Sequence, residues 1–315
     1  MNIVSLFSGC GGLDLGFSSA KLQNSSSSGF NIIWANEYNK TIHSTYELNH
    51  PSTYLDKRDI RTISLSEIPN CDGIIGGPPC QSWSIGGNKK GIEDSRGQLF
   101  WNYIKVIQDK QPKFFLAENV KGILSPKHKT DFNNILQQLE DCNYNVSFKL
   151  LNSANYNVPQ DRERVIIIGY RKDLNITPEF PLPNQKKVTL REALANLDYS
   201  IPNQEGFNTM NYSPWYMSRN RHRGWDEQSF TILATSTAIV QHPDYPMIKV
   251  DKDKYIFEKC SRQLNVRECA RIQTFPDDFI FVHKNVRDGY NMVGNAVPVN
   301  FAKHLADSIK EQITE

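Results

Sequence analysis

The chain has 315 residues, 39% of them hydrophobic and 22% charged, with a formal net charge of +2. That length suffices for one large core plus a smaller unit, and no apolar run is long enough to cross a bilayer. The near-balanced charge excludes a globally basic protein, so any surface for a polyanion must be local. Six cysteines (Cys10, Cys71, Cys80, Cys142, Cys260 and Cys269) include no CxxC pair, and no histidine stands near them at zinc spacing. They read as free thiols in a reducing cytoplasm, with neither a disulfide framework nor a metal site.

In chain order, the apolar run Asn2–Phe7 predicts a first buried strand ending in a glycine-rich turn. It is short and has no basic flank, which argues against a secretion signal. Ser25–Ser28 reads as a short low-complexity loop. Further strands are predicted at Asn31–Asn36, Asp72–Ile75, Lys113–Ala117, Tyr144–Leu150 and Arg164–Tyr170, with helices at Gly97–Gln108 and Thr130–Asp141. Strands alternating with helices predict an α/β class, a doubly wound and mostly parallel sheet whose site lies at the carboxyl ends of the strands. Beyond Lys172 the prolines Pro178, Pro181, Pro183, Pro202 and Pro214 break that rhythm. The expected division is a catalytic and cofactor-binding unit over 1–175, a smaller loop-rich recognition unit over 176–288, and a C-terminal segment, 289–315, that returns to the first unit. Within that segment Val299–Ile313 reads as an amphipathic helix.

Polar clusters fall at the predicted strand ends. Phe7-Ser8-Gly9-Cys10-Gly11-Gly12-Leu13-Asp14 lets the backbone approach a ligand closely. Asp14 stands where a dinucleotide fingerprint would place its third glycine. Glu37 ends the second strand, where an acid bonds ribose hydroxyls, and Asp59 follows as a further polar group. Read singly, these are also ordinary turns, caps or surface acids. Gly76-Gly77-Pro78-Pro79-Cys80-Gln81-Ser82-Trp83-Ser84 is more pointed, because two prolines fix a rigid turn directly before a cysteine. Ile85 to Gly97 carries glycines, lysines and Arg96, the composition of a basic loop able to close on a polyanion or of a plain solvated loop. Glu118, after Phe114-Phe115-Leu116, is expected to be partly desolvated and able to hold a proton. Arg162 and Arg164 alternate, so on a strand both would share one face and reach one ligand. A surface ladder with Asp161 and Glu163 is the plainer reading.

The blocks FSGCGGLDLGF, ANEY, GGPPCQSWS, ENVKG, QDRERV, RQLNVRECARIQTFPDDF and GNAVPVN run from Phe7 to Asn300. In this order they resemble the DNA (cytosine-5) methyltransferase family, most nearly the HaeIII-type bacterial restriction–modification enzymes. The resemblance implies a Rossmann-like fold, S-adenosylmethionine as cofactor, duplex DNA as partner, monomeric action and a separately acting endonuclease. It implies that Cys80 adds to C6 of a flipped-out cytosine and makes C5 nucleophilic. Glu118 would then hold the N3 and N4 edge, and Arg164, with Arg162, would neutralise charge on O2. The cofactor pocket would take Phe7, Ser8, Gly11, Gly12, Leu13, Asn36, Glu37, Tyr38, Asp59, Ile60, Pro79, Leu99, Asn295 and Val297. Ser82, Ser84 and Arg96 would contact phosphates behind the flipped base.

Target reading falls to Ser218-Arg219-Asn220-Arg221-His222-Arg223-Gly224-Trp225. There Arg219, Arg221 and Arg223 alternate, as they would along one side of an extended strand facing guanines or phosphates. Phe230–His242 reads as the other half of that surface. The HaeIII-type pattern implies a GGCC target, but Thr235–Val240 lacks the arginine found there in that pattern. Arg262–Phe279 reads as a packed helix that organises the recognition unit. The competing classes are an RNA cytosine-5 methyltransferase, an inactive DNA-binding relative and a nicotinamide oxidoreductase, the last disfavoured by the glycine spacing.

Overall fold

A computed structural model describes residues 1–20, 29–79, 99–197, 212–257 and 261–314. Cys80, Ser82, Ser84, Arg96 and Cys260, and the loop at Ser25–Ser28, lie outside the described residues. The sheet is built from β1 (Asn2–Leu6), β2 (Asn31–Asn36), β3 (Tyr54–Asp56), β4 (Gly73–Gly76), β5 (Phe114–Val120), β6 (Tyr144–Asn152) and β7 (Glu163–Arg171). Their order is β3-β2-β1-β4-β5-β7-β6. The first five are parallel, and β7 runs antiparallel to both β5 and β6. The predicted mostly parallel, doubly wound sheet is therefore present.

The central strands read as unbroken apolar runs because both faces are buried. Val4, Leu6, Ile74, Phe115, Ala117, Val165 and Ile167 pack to one side, against α3 (Leu99–Lys110) and α4 (Lys129–Asp141). Their neighbours Ile3, Ile75, Phe114, Leu116, Ile166 and Ile168 pack to the other. That second face meets α1 (Gly12–Ser18) and α8 (Val299–Thr314). α1 and α8 touch at Gly16, where a Cβ would stand 2.3 Å from the Ala302 Cβ. α8 thus joins the first strands although it ends the chain. The short α2 (His43–Asn49) leads toward β3.

Beyond β7 the chain carries α5 (Leu190–Leu194), the hairpin β8 (Met247–Asp251) and β9 (Lys254–Phe257), α6 (Val266–Ile272) and α7 (Val286–Asn295). Their core gathers Leu190, Ile232, Ile239, Val240, Leu264, Ile272, Phe275, Phe281 and Tyr290, joined by Cys10 and Ile42 from the first part of the chain and Val299 of α8. The predicted helix over Arg262–Phe279 is shorter than expected. Asn265 caps it with Glu268 in a reciprocal box, and it stops at Gln273. The buried Arg267 then bonds the Phe279 carbonyl, fixing the turn that follows.

None of the described helices is long and apolar enough to cross a membrane.

Candidate active site

β1 ends on a backbone that few side chains tolerate. Phe7 adopts φ 56°, Gly9 57° and Gly11 90°; a non-glycine residue in the left-handed region at a strand end is strain that neighbouring contacts must hold. Those contacts are hydrogen bonds from backbone N–H groups. Ser8 N–H donates to the Asn36 carbonyl at 3.1 Å and Gly11 N–H to the Ser8 carbonyl at 3.0 Å. Gly9 N–H donates to Glu37 Oε2 at 3.0 Å. A Cβ at Gly12 would lie 2.4 Å from the Val297 carbonyl oxygen, and one at Gly9 would meet nothing within 4 Å. The loop is therefore sealed beneath by the C-terminal segment and open above.

The loop and the end of β2 form one cradle. Glu37 also accepts from Asn39 N–H at 2.7 Å. Burial pushes its carboxyl upward, against the backbone donors at Asn39 and Gly9. Asn36 donates to the carbonyls of Asp56 and Arg58, which draws the Asp59 turn toward β2. Phe7 and Leu99 pack against the cluster that contains Ile60, and Leu13 and Val297 share another. Tyr38 stands 63% exposed beside the cradle.

Two expected pocket residues sit differently. Asp59 holds its carboxylate on the Arg61 guanidinium and caps a turn through Arg61 N–H. That hydrogen bond to Arg61 keeps its carboxyl below the usual range. Asn295, the last residue of α7, is exposed.

Beneath the loop lies Asp14, which stood out in the sequence only as a departure from glycine spacing. Asp14 is fully buried and accepts from Ser5 Oγ at 2.6 Å and Tyr46 Oη at 2.5 Å. Tyr46 stacks on His50 at 4.5 Å, and a Cβ at Gly11 would collide with the His50 ring. Burial raises the Asp14 carboxyl to about 6, opposed by the Ser5 and Tyr46 bonds. Burial also lowers His50 to about 4.

At the end of β4 the chain turns through Gly77, Pro78 and Pro79, and Asn119 Nδ2 donates to the Pro78 carbonyl at 3.2 Å. A Cβ at Gly77 would be 3.5 Å from Glu118 Oε2. Glu118 was expected just past its strand. Instead β5 runs on to Val120, because β7 continues the hydrogen-bond ladder with Glu118 opposite Ile166 and Val120 opposite Arg164. Glu118 and Arg164 are thus diagonal neighbours on one face of an antiparallel pair. Arg164 Nε meets Glu118 Oε1 at 2.8 Å, with the side chains 13% and 12% exposed. The carboxylate faces a guanidinium rather than an apolar wall.

Arg162 does not share that position. β7 begins at Glu163, so the alternation argument ends one residue too soon. Arg162 is 2% exposed. Its guanidinium donates to the carbonyls of Ile232 at 3.1 Å, Gly294 at 3.0 Å and Ala296 at 3.0 Å. In this arrangement it is a clamp between distant segments and not a second cation beside Glu118.

Arg219, Arg221 and Arg223 do not form a strand either. Arg219 is exposed. The Arg221 guanidinium lies over the Trp215 and Tyr216 rings at 4.6 and 4.8 Å. Arg223 pairs with Glu227 at 3.0 Å and lies over Phe230 at 4.1 Å. Alternation alone could not reveal these three separate environments. Among the described residues no cluster of three or more His, Cys, Asp or Glu is placed to hold a metal ion.

A mostly parallel sheet with a reversed β7, a glycine loop on β1 and a charged pair at the β5–β7 seam has the architecture of the methyltransferase class. The structure matches that of the Entamoeba histolytica methyltransferase EhMeth with a TM-score of 0.75 at 19% identity, over 100% of this chain and 99% of that one. It matches S. pombe Dnmt2 methyltransferase with a TM-score of 0.69 at 18% identity, over 97% and 96%. At those identities the likeness establishes the fold.

The family comes from the sequence. The model of the C-5 cytosine-specific DNA methylase family matches residues 1–311, and the chain belongs to that family. It is 49% identical to the type II methyltransferase M.MthTI of Methanothermobacter thermautotrophicus, over 99% of this chain and 98% of that protein. It is 48% identical to M.FnuDI of Fusobacterium nucleatum, over 100% and 96%. The protein is a DNA cytosine-5 methyltransferase, and its family and fold imply use of S-adenosylmethionine.

Proposed function

We propose that this chain is the modification enzyme of a restriction–modification system, methylating cytosine C5 within a short duplex sequence through Cys80. The observation that carries the reading is the convergence of the Gly77–Pro79 turn, which leads directly into Cys80, with the Glu118–Arg164 pair. The four cysteines among the described residues support it by contrast. Burial pushes the Cys10 and Cys71 thiols up to about 12 and raises Cys142 and Cys269 as well. A thiol held protonated in the core is a poor nucleophile.

S-adenosylmethionine fits the cradle: an open glycine loop, a half-buried acid at Glu37 just past β2 and an exposed aromatic at Tyr38. Phe7, Ser8, Gly11, Gly12, Leu13, Asn36, Glu37, Pro79, Leu99 and Val297 would hold it. Asp59 and Ile60 would support its edge, and Asn295 would border it. When bound, the cofactor supplies a methyl group on a sulfonium.

The protein's own residues do the rest. The Cys80 sulfur adds to C6 of an extruded cytosine, which moves electron density to C5 so that C5 can accept the methyl group. Glu118 holds the protonated N3 edge and Arg164 bonds O2, both from rigid strands aligned in advance. Loss of the C5 proton to water and return of the N3 proton to Glu118 expel the Cys80 thiolate and restore the ring. Extruding the base costs roughly a few kcal/mol of stacking. Ser82, Ser84 and Arg96 supply phosphate contacts. Arg219 faces the duplex, with Arg221 packed over Trp215 and Tyr216 at its edge and Arg223 held back by Glu227. The division into 1–175, 176–288 and 289–315 serves this reading, with catalysis and target reading on separate units. The enzyme acts as a monomer in the cytoplasm.

Bisulfite sequencing of DNA from cells expressing the protein tests the proposal. Protected cytosines in one short recurring sequence are expected. Protection confined to RNA, or none, would overturn it.

A further inference from the structure

Gln160 and Gln273 lie 113 residues apart and are both fully buried. Gln160 Nε2 donates to Gln273 Oε1 at 2.8 Å. Gln273 Nε2 in turn donates to the carbonyls of Val293 at 2.7 Å and Ala296 at 3.2 Å. On its other side Gln160 Oε1 accepts from Ile232 N–H at 2.9 Å. The backbone continues the same seam, with Ser229 N–H donating to the Pro159 carbonyl and Asp161 N–H to the Ser229 carbonyl, both at 2.9 Å. Thr231 Oγ1 adds a bond to the Asp161 carbonyl at 2.7 Å. With Arg162 reaching Ile232, Gly294 and Ala296, residues 229–232 are zipped along residues 159–162.

The seam is extended by backbone packing at its two glycines. A Cβ at Gly294 would fall 2.3 Å from the Leu233 carbonyl carbon and 2.4 Å from Ala234 N. At Gly12 the corresponding contact is with the Val297 carbonyl. One five-residue stretch, Gln160–Arg164, therefore holds the segment entering Thr235–Val240 at its start and faces Glu118 at its end. Apolar residues would fill this space without aligning anything. A buried polar network bonded to several segments at once fixes one relative arrangement of the segments it joins.

We infer that Gln160 and Gln273 are positioning residues for target fidelity: they set where the Thr231–Ala234 segment stands relative to Glu118 and Arg164. This rests on the reading of that pair as the groups that hold the cytosine. When the seam loosens, correct and incorrect duplexes seat the base almost equally well, so discrimination falls more than turnover.

The experiment uses the full chain and the sequence identified by bisulfite mapping. kcat/KM is measured on that duplex and on duplexes changed at one base pair, for the parent, Gln160→Met, Gln160→Glu and Ile168→Val. Gln160→Met removes both side-chain bonds. Gln160→Glu keeps the acceptor for Ile232 and remains informative if the first variant does not fold. Ile168→Val loosens the core away from the seam and controls for lost stability. The inference predicts about a tenfold fall in the correct-to-incorrect ratio for Gln160→Met, a smaller fall for Gln160→Glu and no change for Ile168→Val. Melting temperatures that drop in the Gln160 variants while the ratio stays at the parental value would overturn it and leave the seam as scaffold. A parent chain that methylates no duplex would overturn both this inference and the functional reading beneath it.

Discussion

Between Phe7 and Glu37 the backbone supplies most of the hydrogen bonds that shape the site, whereas along the seam that joins Gln160 to Ala296 side chains supply most of them. The first region needs glycines, a strained strand end and an acid at fixed spacing, so its sequence is constrained locally. The second needs long polar side chains that reach backbone groups at least 70 residues away. Backbone-built sites tolerate few sequences. Seams built by side chains depend on partners that only the folded chain brings together.

Cys80→Ala should reduce methyl transfer on the order of 10⁴-fold or more, while duplex binding in a gel-shift assay changes little. If turnover survived, Cys80 would not be the nucleophile. Arg164→Ala should lower kcat by roughly 10²–10³-fold, the usual loss for a group that stabilises developing charge. An equal loss on Arg162→Lys, without any fall in melting temperature, would return Arg162 to the reacting site.

The cradle has its own signature in pH. Asp14 has a folded pKa raised from 3.8 to about 6. Its contribution to stability is complete below about 4 and is lost as pH rises through about 6. His50 is lowered from 6.5 to about 4, so its contribution is complete above 6.5 and is lost as pH falls through about 4. The two slopes oppose each other over the same window, each on the order of 3 kcal/mol. Asp14→Asn should therefore make the protein lose stability more steeply on acidification from pH 6.5 to 4 than the parent does. Parallel denaturation curves for the two proteins across that window would show that the carboxyl does not titrate there.

The smallest effects sharpen the recognition side. Arg219→Ala should weaken duplex binding by about 1–3 kcal/mol. Arg223→Ala should change it by less than about 1 kcal/mol, because Glu227 already holds that guanidinium. Equal losses in titrations at one salt concentration would mean that Arg223 leaves Glu227 for DNA.

Much of the catalytic half was legible because its physics is local. The run Asn31–Asn36 matched β2 residue for residue, and the Val299–Ile313 periodicity matched α8 to within one residue. The end of β5 was not legible, since the ladder to β7 that carries the strand past Glu118 is a pairing and not a pattern. The same limit misplaced Arg162, whose three carbonyl partners follow it by at least 70 residues. Asn119 stood in a recognised block, but its bond to Pro78 spans 41 residues. Asp14 was noticed only as a departure from glycine spacing. Its burial against Ser5 and Tyr46 belongs to the packing of α1 on β1 and α2.

The most direct test is covalent capture. The active protein, incubated with cofactor and a duplex carrying 5-fluorocytosine at the mapped position, should form an adduct that survives denaturation, and peptide mass spectrometry should place the nucleotide on Cys80. Full methylation of the normal duplex without capture of the fluorinated one, or an adduct on a different cysteine, would contradict the account.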